Sequence, residues 1–350
     1  MSKVSKFSKF SKRHKADKTG SSAIPKITND SVAVHREEVL GKARKLVYPL
    51  RHSRKRIVKL SIYIFITTAV IFLVGCSFAL YKFQSTSSFM YGVTRVVPFP
   101  AAVANGRLVS YESYLFELRH YIHYYQSQQS VNFKTQSGHR QLKVLKQRSL
   151  DQAIDRAYVA KLAQEHDVHV LPTEVNAQVE IARNQNRLGA SDAVFQSVLK
   201  DFWGWSVADF KHELKLELLD QKVAATLDTT TAQKAQSTYR QLQQGADFAK
   251  LAASVSDDAT TKANGGKYSF TITQSNRDLS PLLVNALFSL KKGQISGVID
   301  TGYTLEIVKV LEVDGEKRQA AHIAFNYQDI STYTNPLRKQ HQPTNLIHIK

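Results

Sequence analysis

The chain has 350 residues, a formal net charge of +19 and a single cysteine. This length predicts two or three domains rather than one, and the lone Cys76 excludes both a disulfide framework within the chain and any multi-cysteine metal site. The charge suggests an anionic partner, either nucleic acid or a lipid surface.

The positive charge is concentrated at the N-terminus. Residues 1–59 hold seventeen Lys or Arg and four acids, an excess of +13, and the remaining chain is only mildly basic. Basic tails with repeated Ser-Lys-hydrophobe units, such as "SKVSKFSKFSKRHK", are normally disordered. We therefore expect residues 1–56 to form a disordered cytoplasmic tail. Anionic lipid headgroups, at about 1 kcal/mol per basic residue, are favoured over nucleic acid as its partner.

An apolar segment follows the tail directly. Leu60–Tyr81 contains 22 residues without a charge or a proline, and about 20 apolar residues match the ~30 Å hydrocarbon core of a bilayer. The basic cluster Arg51–Arg56 abuts this segment, and positive charge stays in the cytoplasm. We expect a single-pass anchor at residues 57–82, with the N-terminus cytoplasmic and all later domains outside the cell membrane.

A second interpretation of the same segment is a lipoprotein signal. "LVGC" (Leu73–Cys76) resembles a lipoprotein box, in which Cys76 would be acylated after cleavage. The apolar run continues through Ser77–Tyr81, beyond the cysteine, which favours the retained anchor.

A helical module is predicted after a linker at residues 83–100. Asn105-Gly106 is a hairpin signal between two short apolar runs. Ser110 then precedes an amphipathic helix, and further helices follow, the last opened by the capping box "SVAD" (Ser206–Asp209). The apolar positions with helical spacing are Tyr114, Leu115, Leu118, Ile122, Leu150, Ile154, Tyr158, Leu162, Val175, Val179, Phe195, Leu199, Phe210, Leu214 and Leu218.

This order of helices resembles the N-terminal chaperone domain of SurA/PrsA/PpiD-like foldases. The matching stretches are "NGRLVSYESY", "LDQAIDRAYVAKLAQEHDV", "LPTEVNAQV" and "WGWSVADFKHELKLELL". The resemblance covers about Ala102–Leu227 and implies apolar clefts that bind unfolded chains. Trp203 and Trp205 flank Gly204 and are not easily both buried, so they are candidates for contact with a client peptide, although core packing is the alternative.

The following segment predicts helices and short strands. "GADFAKLAASVSDDATTKANGGKY" reads as a helix, a glycine-rich loop and a strand, and "SPLLVNALFSLKKGQIS" as a helix that starts near Pro281 and ends at Gly293. "ISGVIDTGYTLEIVKVLEV" gives two strands.

These stretches resemble parvulin-type peptidyl-prolyl cis/trans isomerases over about Thr229–Val313. The first matches the pattern "GADFA-x-LA-x-x-x-SDD…NGG-x-L", and "ALFSLKKGQISGVI" matches "A-F-A-L-x-x-G-x-I-S-x-P-V". The resemblance implies an apolar proline pocket at Leu279, Leu283 and Phe288, for which ordinary core packing is the alternative. It also implies a polar role for Asp258. Such isomerisation requires no cofactor, metal or covalent nucleophile.

Two histidine positions of the family are altered. The closing strand "YTLEIVKV" places Glu306 where the family has histidine, and no strand with a histidine precedes Thr229. A carboxylate replaces a neutral imidazole donor only if its pKa is strongly raised. A binding-only module is therefore an alternative to an enzyme.

A histidine-bearing strand is predicted after the module instead. "AAHIAF" within residues 319–326 resembles the absent "ASHIL" strand of the family, with His322 in the matching place. It could close the same sheet from the C-terminal side, begin a truncated second unit, or be a β-extension with a surface histidine.

The predicted fold class is α+β. A basic tail and one transmembrane helix precede a SurA-N-like helical chaperone domain (101–228), a parvulin-like (FKBP-type) small antiparallel sheet with helices (229–328) and a basic C-terminal arm of low order (329–350). The expected function is an extracytoplasmic prolyl isomerase and chaperone for unfolded or nascent secreted chains with X–Pro bonds. Its expected catalytic residues are Asp258, His322 and Glu306. The alternatives are an inactive holdase and an envelope scaffold.

Overall fold

The structure, a computed structural model, describes residues 28–47, 50–184 and 191–349. It has the mixed helical and antiparallel-sheet architecture that the sequence predicts. Contacts divide the chain into two units, Met1–Leu73 and Val74–Lys350.

Apart from Thr28, the described residues of the first unit are helical. Helices α1 (Asn29–Val47) and α2 (Leu50–Ser77) account for it, and α2 runs on into the second unit. The expectation that the whole tail to residue 56 is disordered was therefore wrong for residues 29–47 and 50–56, which are helical. Residues 1–27 lie outside the described residues. Thr28 and Ser31 exchange hydrogen bonds at the start of α1, and Lys42 pairs with Glu38 at 2.7 Å one turn earlier.

One helix of the described part of the chain, Arg56–Lys82, is long and apolar enough to cross a membrane. Apolar side chains from Ile57 to Val74 are exposed along it. Its last turn, the π-helical segment Phe78–Lys82, carries Leu80, which is buried in the core of the second unit together with Cys76.

The second unit begins with a helical module that surrounds a small hairpin. Helix α3 (Ser88–Val96) lies inside the segment expected to be a linker. Ser87 caps its first turn by accepting a hydrogen bond from Met90 N. Strands β1 (Pro100–Ala104) and β2 (Arg107–Ser110) pair around Asn105-Gly106, both of which have positive φ, so the predicted hairpin is confirmed.

Helices build the rest of this module. They are α4 (Tyr111–Ser127), α5 (Gln136–Glu165), α6 (Pro172–Asn184), α7 (Asp192–Val198), a π-helical turn (Leu199–Trp203) and α8 (Val207–Leu227). Ser110 caps α4, and the predicted capping box of Ser206 and Asp209 opens α8. The core of α4 and α5 contains Tyr111, Tyr114, Leu150 and Tyr158.

The sheet module starts at α9 (Thr229–Gln243), which Asp228 caps. It continues with α10 (Phe248–Val255), α11 (Ala259–Lys262), β3 (Ile272–Thr273), α12 (Pro281–Ser289), β4 (Ile299–Asp300), β5 (Thr304–Asp314) and β6 (Lys317–Asn326). The four strands form an antiparallel sheet in the order β3-β6-β5-β4. The C-terminal strand β6 is thus an interior strand of this sheet.

The two faces of the sheet bury different clusters, because side chains alternate along a strand. Leu305, Ile307, Ala321, Ile323 and Phe325 pack against α9 and α10 on one face. Val308, Val310 and Ala320 pack with residues of α12 on the other.

The C-terminal residues return to the helical module, so the expectation of a low-order arm was wrong. Helix α13 (Ser331–Gln340) packs on α5, where Arg338 pairs with Asp151 at 2.7 Å and Asp155 at 2.8 Å. Strand β7 (Thr344–Asn345) then pairs with β1, and Ile347 is buried in the core of α4 and α5. Basic and proline-containing composition concealed these apolar anchors.

Candidate active site

His322, Asp258 and Glu306 come together on one face of the sheet. His322 lies on β6 opposite Val308 of β5, and Glu306, two residues before Val308, projects from the same face. Asp258 reaches the histidine from the start of α11. His322 and Glu306 are buried, with 7% and 8% of their surfaces exposed. The side chain of Asp258 is more accessible.

The imidazole lies between the two carboxylates. Its Nδ1 is 2.8 Å from Glu306 Oε2, and its Nε2 is 2.9 Å from both Asp258 Oδ2 and Thr261 Oγ1. Thr304 Oγ1 donates to the other oxygen of Glu306 at 3.0 Å. With both ring nitrogens facing acceptors, the arrangement suits an imidazolium that donates on both sides.

Local turn chemistry fixes Asp258. As the residue before α11 it accepts hydrogen bonds from the backbone N of Thr260 at 3.0 Å and from the hydroxyls of Thr260 and Thr261 at 2.7 and 2.6 Å. Asp, Ser and Thr residues at such positions satisfy the first free N–H groups of a helical turn. The carboxylate therefore has a set position before any substrate arrives.

These contacts shift the pKa values of the two groups in opposite directions. Partial burial alone would raise the pKa of Asp258, but the hydrogen bonds from Thr261, Thr260 and His322 outweigh it and lower that pKa well below its usual range. Burial likewise disfavours the charged form of His322, yet the hydrogen bonds and charges of Glu306 and Asp258 raise its pKa above the ordinary value. Both shifts favour an ion pair.

Glycine allows the NGG loop to approach β6. Gly266 has φ +79°, and its carbonyl accepts a hydrogen bond from His322 N at 2.8 Å. A Cβ at this position would lie 2.1 Å from the carbonyl oxygen of His322. The glycine-rich loop is therefore a close backbone contact that holds the histidine strand in place.

Sequence reasoning did not single out Thr261 or Tyr268. Thr261 bridges Asp258 and His322, and the ring of Tyr268 stacks on the imidazole with centroids 4.4 Å apart. The available signals were weak: Thr261 lies three residues after Asp258, and Tyr268 ends the "NGGKY" motif.

The three residues expected to line a proline pocket differ in accessibility. Leu283 is 2% exposed and belongs to the core cluster beneath the site. Leu279 and Phe288 are half-buried at the edge of the same cluster. The guanidinium of Arg318 covers the Phe288 ring at 4.6 Å. Leu279 is thus the most available apolar neighbour of the three.

No group of three His, Cys, Asp or Glu side chains within residues 28–47, 50–184 and 191–349 has the geometry to hold a metal ion.

A second candidate surface lies in the helical module. Trp203 and Trp205 stack at 6.0 Å, and Trp205 also stacks on Phe116 at 5.8 Å and on His120 at 4.6 Å. Both tryptophans are half-buried. A cavity of about 250 Å³ opens beside them, and its lining includes Tyr91, Phe116, Arg119, His120, His123 and Trp205.

Two protein-family models match the chain. The model described as a SurA-like N-terminal domain matches residues 51–224, and the model described as a PPIC-type PPIase domain matches residues 218–312. The second match ends before β6, so it does not include His322.

Curated relatives are similar over part of their length. A parvulin-like PPIase of Rickettsia bellii is 29% identical over 39% of this chain and 44% of its own. A foldase protein PrsA of Caldanaerobacter subterraneus is 33% identical over 28% of this chain and 30% of its own. Foldase protein PrsA 1 of Lactiplantibacillus plantarum is 31% identical over 27% of this chain and 32% of its own. The chain thus spans less than half the length of these relatives.

A solved structure of foldase protein PrsA from Streptococcus pneumoniae is also similar. The two chains are 20% identical, and the match covers 54% of this chain and 75% of the solved one. The TM-score of 0.17 means that the superposition is too loose to support a structural argument.

Proposed function

We propose that this chain is a membrane-anchored, extracytoplasmic prolyl isomerase and chaperone. It belongs to the foldase family that combines a SurA-like N-terminal domain with a PPIC-type PPIase domain. The observation that carries the isomerase part is the convergence of Asp258, His322 and Glu306 on one face of a sheet that β6 completes. Its substrates would be unfolded or nascent secreted polypeptides with X–Pro bonds.

The reaction needs no bond to be broken. The X–Pro bond rotates unaided in tens to hundreds of seconds over a barrier of about 20 kcal/mol. Rotation removes the double-bond character of the amide, so a site accelerates it by excluding water and by placing polar groups around the twisted amide. Asp258 has the most accessible of the three side chains and would face the peptide, whereas buried Glu306 and His322 would orient it.

We assign β6 to the position of the family's histidine-bearing first strand. It pairs with β5 over almost its whole length and with β3 on its other edge, and its histidine faces Asp258. A strand supplied from the C-terminal side is physically reasonable because it occupies the same place in the sheet whichever end of the chain provides it.

The chaperone part rests on the stacked aromatic rings of Phe116, His120, Trp203 and Trp205 beside the 250 Å³ cavity. Half-exposed aromatic surface binds apolar side chains of many sequences, because burial of apolar area has no directional requirement.

The anchor would be the exposed apolar helix Arg56–Lys82, with the basic tail on anionic lipids at the cytoplasmic face. Cys76 is 3% exposed and packs in the core of the following domain. This burial favours a retained helix over cleavage and acylation at Cys76.

The test is exchange NMR on a peptide with a single Ala–Pro bond, using the detergent-solubilised chain and its Asp258→Asn variant. We expect the wild type to accelerate exchange between the cis and trans forms and the variant to be at least about tenfold slower. Asp257→Asn, at the neighbouring carboxylate that pairs with Lys234, is the matched control. No acceleration by the wild type at any pH from 5 to 9 would refute the isomerase function.

Two observations favour a second function, a holdase without turnover. Glu306 stands at the expected histidine position and Leu283 is buried, which would deprive the site of a neutral donor and of part of its apolar pocket. If the wild type suppresses aggregation of a proline-free client but does not accelerate exchange, this function replaces the isomerase. A Trp205→Ala variant should then lose the suppression.

A further inference from the structure

Tyr268 carries a buried hydroxyl for which the described residues provide no hydrogen-bond partner. The residue is 5% exposed, and its ring stacks on His322. Buried hydroxyl groups are nearly always hydrogen-bonded, so an unpaired one requires an explanation. Its position beside the candidate site suggests that its partner arrives with the substrate.

The donors of the hydrogen-bond network around His322 are already used. His322 directs one ring nitrogen to Glu306 and the other to Asp258 and Thr261. The hydroxyls of Thr260 and Thr261 point to Asp258, and that of Thr304 points to Glu306. Asp258 and Glu306 are acceptors when ionised. The network on its own therefore offers no free donor to a bound peptide.

Isomerisation requires a donor more than it requires an acceptor. As the X–Pro bond twists, conjugation is lost and the proline nitrogen recovers its lone pair. An O–H group directed at that nitrogen stabilises the twisted form more than the planar one, which is the condition for acceleration. A carboxylate that only accepts would not do this.

The Tyr268 ring lies between the candidate site and the exposed surface of the sheet module. It lies in the segment between the NGG loop and β3, which is attached to β6 by the hydrogen bonds Tyr268 N to Ala320 O at 3.0 Å and Gln319 Nε2 to Tyr268 O at 3.1 Å. Exposed Phe270 lies next to the Tyr268 ring, with centroids 5.5 Å apart. The Tyr268 ring thus contacts both the buried His322 and the exposed Phe270, and links the hydrogen-bond network to the surface of the sheet module.

We infer that Tyr268 is the hydrogen-bond donor of the site, and that its hydroxyl donates a hydrogen bond to the proline nitrogen of the X–Pro bond in the bound peptide. This inference rests on the proposed isomerase function. It assigns the donor role, which the family histidine at position 306 would otherwise hold, to a residue of the NGG segment.

The test compares the wild type with Tyr268→Phe, which keeps the ring and its stacking on His322. Tyr239→Phe is the matched control, since Tyr239 packs in the cluster on the opposite face of the sheet. For each solubilised full-length chain, kcat and KM are measured by exchange NMR on the Ala–Pro peptide, and Tm by calorimetry. We expect Tyr268→Phe to lower kcat at least about tenfold with KM within about twofold.

The thermal measurement separates a donor from a structural residue. Removal of an unpaired buried hydroxyl should leave Tm unchanged or higher. An active wild type with a Tyr268→Phe kcat within about twofold of it would overturn this inference alone, as would a fall in kcat that accompanies a fall in Tm. A wild type without turnover would overturn the proposed isomerase function and this inference together.

Discussion

The charges around His322 make the stability of the sheet depend on pH. The pKa of His322 is raised above its ordinary value of 6.5, so its contribution is complete below pH 6.5 and is lost as the pH rises through the folded-state pKa. The pKa of Asp258 is lowered from 3.8, so its contribution is complete above pH 3.8 and is lost as the pH falls through the lower folded-state pKa. Both contributions are present together from 3.8 to 6.5.

We therefore predict that His322→Gln destabilises β6 more at about pH 5.5 than at about pH 8.5. Hydrogen exchange of the β5 and β6 amides reports the local opening free energy of these strands at each pH. His139→Gln, at an exposed position of α5, is the control and should change neither strand. An equal effect of His322→Gln at both pH values would contradict the ion-pair description.

The close contact of Gly266 with β6 gives a second prediction at this scale. Gly266→Ala combines an unfavourable positive φ with a Cβ 2.1 Å from the His322 carbonyl oxygen. We therefore expect the free energy of unfolding to fall by about 3 kcal/mol or more. Gly245→Ala has a similar φ of +90° and nothing within 4 Å of the new Cβ, so only the backbone cost of about 1 kcal/mol remains. Urea unfolding measures both. Equal losses would show that the loop moves away without cost.

Only part of the candidate site could be predicted from the sequence. Asp258 and His322 were recognisable because each lies in a stretch that resembles a family motif, Asp258 in "SVSDD" and His322 in "AAHIAF". The histidine, however, lies 64 residues after the aspartate, and their contact depends on strand pairing that no local pattern specifies. The burial of Leu283 was equally hidden, since a leucine on an apolar helix face has the same pattern in a core and in a pocket.

At the scale of elements, the chain leaves the helical module at α8, builds the sheet module and returns through α13 and β7. Tyr158 on α5 donates to the carbonyl of His341, and Gln84 Nε2 donates to that of His348. The C-terminal segment was misjudged because its apolar anchors are few: Leu337 stands among polar and charged residues, and Ile347 lies in a short run with Leu346 and Ile349. A strand of two residues leaves no periodic signal.

We predict that Ile347→Ala destabilises the helical module by about 2–5 kcal/mol, because Ile347 is 3% exposed in the core of α4 and α5. Leu346→Ala is the matched control, since its neighbour Leu346 is 41% exposed, and it should cost less than about 1 kcal/mol. The only two tryptophans, Trp203 and Trp205, lie in this module, so their fluorescence follows its unfolding in urea. Similar midpoints for both variants would mean that the segment is held by its backbone contacts alone.

For the whole molecule, the arrangement of charge about the apolar helix predicts its orientation. The cluster Arg51, Arg54, Lys55 and Arg56 precedes the helix, whereas only Lys82 directly follows it. Because basic residues stay in the cytoplasm, a C-terminal alkaline phosphatase fusion in a bacterial host should be active outside the membrane, and a C-terminal GFP fusion should be dark.

Replacing the four basic residues of the cluster with Glu should reduce phosphatase activity severalfold. Replacing four basic residues of the tail before residue 20 should leave it unchanged, because they lie too far from the helix to set its orientation. A bright GFP fusion of the wild type would place the folded modules in the cytoplasm and remove secreted chains as substrates.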